Sequence, residues 1–211
     1  MTNNVKRETP SGPSQPGRRA QKSEQTRERI FRAALKLFAE RGFNATTIEA
    51  ITAAADVGKG TFFNYFESKE SVLLNYRELQ MERVAAFVAA NREADRPLAP
   101  LLLELALTLT IEQGQSPGLI QSLLTAVFAS DTVQKRMAEA IEGNVRQLAL
   151  LIGHRQERGE LRRDLSPFDI AQGFQRMIFG TMITWSLAPV DPLEESMKRS
   201  IELFVNGVLP K

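Results

Sequence analysis

Few residues in this 211-residue chain could do covalent chemistry, and they do not converge. The single histidine, His154, stands beside Arg155 and near Glu157 on a charged stretch, which suits a surface or capping role. With no second histidine and no cysteine, the chain has no metal-binding pair, no thiolate nucleophile and no disulfide. The carboxylates Asp164, Asp169, Glu194 and Glu195 sit at expected helix starts, where the helix dipole favours negative charge. Neither a phosphate-binding glycine motif nor a nucleophile elbow is read. An enzyme is therefore not expected, and no metal or cofactor is implied.

Charge points elsewhere. Lys and Arg number 27 against 25 Asp and Glu, a net +2, but residues 1–70 carry 12 basic and 8 acidic side chains. The excess sits in the N-terminal tail, with Lys6, Arg7, Arg18, Arg19 and Lys22 against Glu8 alone. Residues 9–17 are rich in Pro, Gly and Ser and too poor in apolar groups to offset ordering entropy, so residues 1–22 are expected to form a disordered basic arm. Two readings of it stand: a solvated leader, or an arm that touches phosphate. The longest apolar stretches, residues 98–111 and 177–190, fall short of the roughly 18–20 residues of a membrane span. The N-terminus lacks the apolar centre of a secretory leader. The expected compartment is the cytoplasm, with no membrane partner.

The elements that would position these groups read as helices throughout, an all-α fold of about nine. Ile30, Ala33, Ala34, Leu37 and Phe38 form one stripe that Gly42 ends. Thr46 and Thr47 offer a hydroxyl cap for a short second helix carrying Ile48, Ile51 and Ala54. Residues 56–58 make a turn, residues 59–66 a third short helix, and Ser68 caps a long fourth helix. Three short helices with a tight glycine-containing turn between the second and third make a helix-turn-helix, whose third helix can enter a DNA major groove. Five more helices are expected at residues 98–113, 117–129, 132–158, 166–187 and 192–208, separated by Pro, Gly, Ser and Asp. Residues 23–69 then form the DNA-binding domain and residues 70–211 a larger domain, joined through the long fourth helix.

The run Gly42-Phe43, Thr46-Thr47-Ile48, Ala55-Asp56-Val57, Gly60-Thr61, Phe62-Phe63, Tyr65-Phe66 and Ser68-Lys69-Glu70 closely resembles the TetR/AcrR family of bacterial transcriptional regulators. The resemblance covers about a quarter of the chain and implies an all-helical homodimer with an N-terminal DNA-binding domain and a C-terminal effector-binding and dimerisation domain. It implies DNA contacts from Thr46, Thr47, Lys59, Gly60, Thr61, Phe63, Asn64, Tyr65 and Lys69. Thr47 would meet a phosphate as well as cap its helix, Thr61 a base edge or thymine methyl, and Asn64 an adenine. Tyr65 would hold a phosphate; Lys69 would reach one or stay solvated. Phe63 stands where the family usually has Tyr, and Gly58 replaces a common Ser cap. Phe62 and Phe66 are assigned to the core. Residues 24–70 hold 7 basic and 7 acidic groups, so the field at DNA must come from placement and from the arm, with Arg18, Arg19 and Lys22 as its contacts.

The larger domain holds more apolar residues than single helix stripes need. By resemblance, a pocket among the middle helices takes a small apolar or amphipathic effector, with Leu105, Thr108, Leu109, Gln121, Leu124, Phe128, Gln147 and Gln175 as candidate contacts. Two apolar faces on the eighth helix and one on the ninth suggest a dimer interface of Phe174, Ile178, Phe179, Met182, Ile183, Ile201, Phe204 and Val205. The alternative places them in one internal core. The expected function is a sequence-specific DNA-binding regulator: a homodimeric repressor released from a pseudo-palindromic operator by its effector. The rivals are a small-molecule carrier and a nonspecific architectural DNA binder.

Overall fold

The computed structural model describes residues 18–110 and 116–210, without the side chains of residues 18–20, 76 and 77. Among these the fold is all-helical: α1 (Arg18–Arg41), α2 (Ile48–Ala54), α3 (Lys59–Phe63), α4 (Lys69–Asn91), α5 (Leu98–Thr110), α6 (Pro117–Ala129), α7 (Asp131–Glu157), α8 (Pro167–Leu187) and α9 (Leu193–Val208). Local chemistry sets most ends. The Thr47, Ser130 and Ser166 side chains accept from backbone N–H groups three residues on, and Ser68 and Ser71 close a reciprocal capping box at the start of α4. Gly42 and Gly159 take φ of +82° and +77° beyond α1 and α7, the left-handed conformation that ends a helix. Residues 114–118 spell Gly-x-Ser-x-Gly, yet Ser116 only precedes α6, and no strand exists among the described residues to build a nucleophile elbow.

Two boundaries differ from the sequence expectation. Arg18, Arg19 and Lys22 lie within α1, so the helix extends into the expected arm; residues 1–17 lie outside the described residues. Arg, Gln, Lys and Ala are good helix formers, and an existing helix propagates easily through them without an apolar stripe. The third helix stops at Phe63, with Asn64 as its C-cap, rather than continuing to residue 66.

Two cores organise the chain. The first gathers Ile30, Ala34 and Phe38 of α1, Ile51 of α2, Phe62 and Phe66, then Val72 and Leu73 of α4 and Leu119 and Ala126 of α6. The second fills the space between α4, α5, α7, α8 and α9, from Val84 and Leu102 to Phe174, Trp185 and Ile201. α4 therefore belongs to both cores, and α6 lends its first face to the DNA-binding unit. A cut at residue 69 would leave the first core without its roof.

Candidate nucleic-acid interface and inner cavity

The turn between α2 and α3 is built on a strained residue. Asp56 has φ of +51°, a region that suits glycine and that L residues enter at a cost of roughly 1–2 kcal/mol. Asp tolerates it better than most. Asp56→Gly relieves the strain but adds freedom to the unfolded chain, so a net stabilisation of about 0.5–1 kcal/mol is expected. Chemical denaturation at fixed protein concentration reads this as a higher midpoint with unchanged slope.

Beyond that turn, α3 is held by Phe62, fully buried, with Phe66 5.8 Å away between ring centroids. Lys59, Gly60, Phe63 and Asn64 consequently point outward, and Thr61 and Tyr65 are half-buried. A Cβ built on Gly60 meets nothing within 4 Å, so glycine there serves no contact within the chain and leaves the backbone open to an approaching surface. Phe63 packs its edge on Phe62 at 5.5 Å and presents the rest of its ring to solvent.

Thr47 is exposed, and its Oγ1 accepts from Ala50 N at 3.1 Å, while its hydroxyl hydrogen is directed to the Glu49 carboxylate. Lys59 Nζ donates to Glu49 Oε1 at 2.6 Å, and that ammonium, with backbone hydrogen bonding, holds the Glu49 carboxyl below the usual carboxylate range. The pair is thus present at neutral pH and lost only as pH falls through the lowered Glu49 value. Ser23 Oγ and Tyr65 Oη lie 3.1 Å apart, so Tyr65 is steadied by α1.

Two expected DNA contacts turn inward instead. Thr46 is 1% exposed and donates to Gly42 O at 2.8 Å, closing the loop behind α1. Lys69 donates to Phe43 O at 2.8 Å and Thr46 O at 3.2 Å, with Nζ 4.4 Å from the centroid of the Phe43 ring. Its charge satisfies loop carbonyls and ties the start of α4 to the α1–α2 connection. A motif shows that these residues recur together, but only the packing shows that they fasten the loop.

The second site is a cavity of about 220 Å³ inside the larger domain. Leu109 of α5, Ile120, Leu123, Leu124 and Val127 of α6, and Met137, Ile141 and Asn144 of α7 line one part of it. Gln80 of α4 and Gln175, Ile178, Phe179, Met182 and Ile183 of α8 line the rest. Of the expected effector contacts, Leu109, Leu124 and Gln175 reach it. Leu105 is packed in the core, Thr108 donates to Glu104 O, and Gln121 donates to Ser186 O. Gln147 is exposed, and Phe128 is 79% exposed at the end of α6. Helical periodicity identifies inward faces but not whether another side chain or empty space lies opposite. Gln80 and Asn144, the two polar lining residues missed, stand on helices rich in charged residues, where nothing in the sequence sets them apart from a solvated face.

The expected dimer residues are also redistributed. Phe174, Ile178, Met182, Ile201 and Val205 are buried in the chain's own core, while Phe179 and Ile183 line the cavity. Phe204, half-buried, packs on Phe174 at 5.6 Å. α8 has two apolar faces because it is wedged against α6, α7 and α9 at once. On the outer side of α8 and α9, Gly180, Thr184 and Gly207 are exposed and Leu203 is 76% exposed.

Among the described residues no helix is long and apolar enough to cross a membrane. Residues 30–76 match the model of bacterial regulatory proteins of the tetR family. The chain is 38% identical over 90 residues to the HTH-type transcriptional regulator TcmR of Streptomyces glaucescens, covering 43% of this chain and 40% of that protein. It is 32% identical over 146 residues to the HTH-type transcriptional repressor DhaR of a Mycobacterium species, covering 67% of this chain and 72% of that repressor. Thermus thermophilus FadR, a TetR-family repressor solved with lauroyl-CoA, superposes with a TM-score of 0.62 at 30% identity, over 88% of this chain and 96% of that one. With the surface formed by α2, its turn and α3 standing where the family model matches, the chain belongs to the tetR family of bacterial transcriptional regulators.

Proposed function

We propose that this protein is a homodimeric, sequence-specific DNA-binding repressor whose operator affinity falls when a small apolar or amphipathic effector enters the inner cavity. The observation that carries the reading is the double role of α6. One face, with Leu119 and Ala126, completes the core beneath the helix-turn-helix, and Ser122 Oγ donates to Phe38 O of α1 at 2.6 Å. The other face, with Ile120, Leu124 and Val127, lines the cavity. A molecule that pushes α6 outward must therefore move α1 or break that contact. In a two-fold dimer the displacement alters the separation of the two recognition helices, and a coupling of about 1–3 kcal/mol changes affinity 5- to 150-fold.

At DNA, Thr47 and Tyr65 serve as phosphate contacts, and Thr61, Phe63 and Asn64 face base edges while Gly60 permits close approach. Arg18, Arg19 and Lys22 add charge from the first turns of α1. The exposed outer side of α8 and α9 around Leu203 provides the dimer surface. A small, rigid interface in which Gly180 and Gly207 allow close helix approach is consistent with this.

Glu49 restrains Lys59 in the free protein and repels a phosphate. Glu49→Gln is therefore expected to tighten binding at every sequence and to steepen the dependence of log affinity on log salt by about 0.9, one extra neutralised phosphate. Fluorescence anisotropy across a salt series checks this; an unchanged slope would show that Lys59 lies away from the backbone.

Selection of bound fragments from a random duplex pool near physiological salt tests the function itself. Enrichment of inverted repeats supports a dimeric regulator. A pool that remains random, with and without Thr47 intact, overturns the reading.

A further inference from the structure

The cavity combines apolar walls with two amides that the protein leaves unsatisfied. Asn144 and Gln175 are 5% and 8% exposed and both line it, and among the described residues neither side chain has a hydrogen-bond partner. Their polar atoms open onto the cavity instead of being sealed in the core, and an amide without a protein partner on so apolar a wall calls for something else to supply the bond. Their neighbours along the wall, Ile141 and Ile178, can supply none. A third amide, Gln80, adds to the polar character of the same space.

Equally informative is what the wall lacks: no lining residue among those described is charged. An ionised head group would lose its hydration there without gaining a counter-charge. The volume, about 220 Å³, lies below the roughly 300–1,000 Å³ of sites for drug-sized ligands and is far too small for a coenzyme A nucleotide.

Resting on the reading of this cavity as the effector site, we infer that the effector is a compact, uncharged, largely apolar molecule with one hydroxyl or carbonyl group, which Asn144 and Gln175 bind from α7 and α8. An amide both donates and accepts, so two of them satisfy a neutral hydroxyl completely. Its apolar body then rests against α6, the helix that touches α1. The charge of the head group sets this effector apart from the lauroyl-CoA in Thermus thermophilus FadR.

Calorimetric titration of the full chain with 1-octanol, octanoate and octanoyl-CoA at neutral pH tests the inference. Octanol is expected to bind at least about tenfold more tightly than either charged probe, because only it avoids burying an unpaired charge. Asn144→Leu and Gln175→Leu are each expected to weaken octanol about 3- to 10-fold, the loss of one hydrogen bond. The same variants without ligand should melt at higher temperature than the wild type, since each replaces a partnerless amide on an apolar wall; a structural role for the amides would lower the melting temperature instead. Equal or tighter binding of octanoate or octanoyl-CoA overturns the inference, as do amide variants that leave octanol binding unchanged. Leu124→Trp, which fills the cavity, separates the two levels. Octanoyl-CoA binding abolished by Leu124→Trp keeps the cavity as the effector site and removes only the uncharged class. If no probe binds the wild type, or binding is indifferent to Leu124→Trp, the inference and the effector-site reading both fall.

Discussion

Replacing Arg155 with methionine is expected to destabilise the protein by about 3 kcal/mol, the lower end of the range for breaking a buried ion pair. Arg155 is 1% exposed, at the end of α7. Its Nη1 donates to Glu160 Oε2 at 2.6 Å and Arg96 O at 2.9 Å, and its Nη2 donates to Ala94 O at 2.8 Å. The guanidinium thus fastens the α4–α5 connection to the turn after α7. Methionine fills a similar length but leaves two carbonyls without this donor. Glu160 keeps Arg158 at 2.6 Å and remains partly exposed, which is why the lower end applies. For a chain of this size the shift in melting temperature is about 6–12 °C. Scanning calorimetry at matched protein concentration measures it, since the proposed dimerisation would make stability concentration-dependent. Lysine, which keeps the charge but not the planar fork, should recover only part of the loss.

Gly118→Ala is expected to act on both stability and function. A Cβ built on Gly118 would lie 2.2 Å from the carbonyl oxygen of Ala39, a backbone atom that cannot rotate away. α6 must therefore lift from α1, at a cost of about 1–3 kcal/mol typical of overpacking. That lift separates Ser122 from Phe38 O, the contact through which the cavity is proposed to signal. The variant should bind operator at least fivefold more weakly without effector, the low end of ordinary allosteric coupling, and respond little to effector. Anisotropy titrations with a selected operator read this directly. Wild-type affinity in a folded Gly118→Ala protein would mean that α6 does not transmit the effector's presence.

Much of this was legible in the sequence because local rules govern it. Thr47, Ser68 and Ser166 cap helices where their hydroxyls and neighbours say they should, and the spacing of Ile30, Ala34 and Phe38 marks a buried stripe. The motif around α3 gives Phe62 and Phe66 to the core and turns Phe63 and Asn64 outward. What escaped depends on distant partners. Lys69 carries the same charge whether it faces phosphate or two loop carbonyls, and Arg155 beside His154 looks like part of a solvated surface until the α4–α5 connection closes over it. Phe174 and Ile201 are apolar on adjacent helices whether they face a partner or each other's core. Glycine in a helix is ambiguous in sequence, and only the approach of Ala39 shows why Gly118 is needed.

The most direct test of the central claim is the fragment selection run in parallel with wild type and Asn64→Ala, followed by footprinting of the enriched duplexes. The account predicts a pseudo-palindrome protected in both halves, with specificity relaxed in the variant at one position in each half-site, by about 1–3 kcal/mol per base pair. Identical motifs from the two proteins, or protection of a single unpaired half-site, would contradict a symmetric dimer that reads DNA through α3.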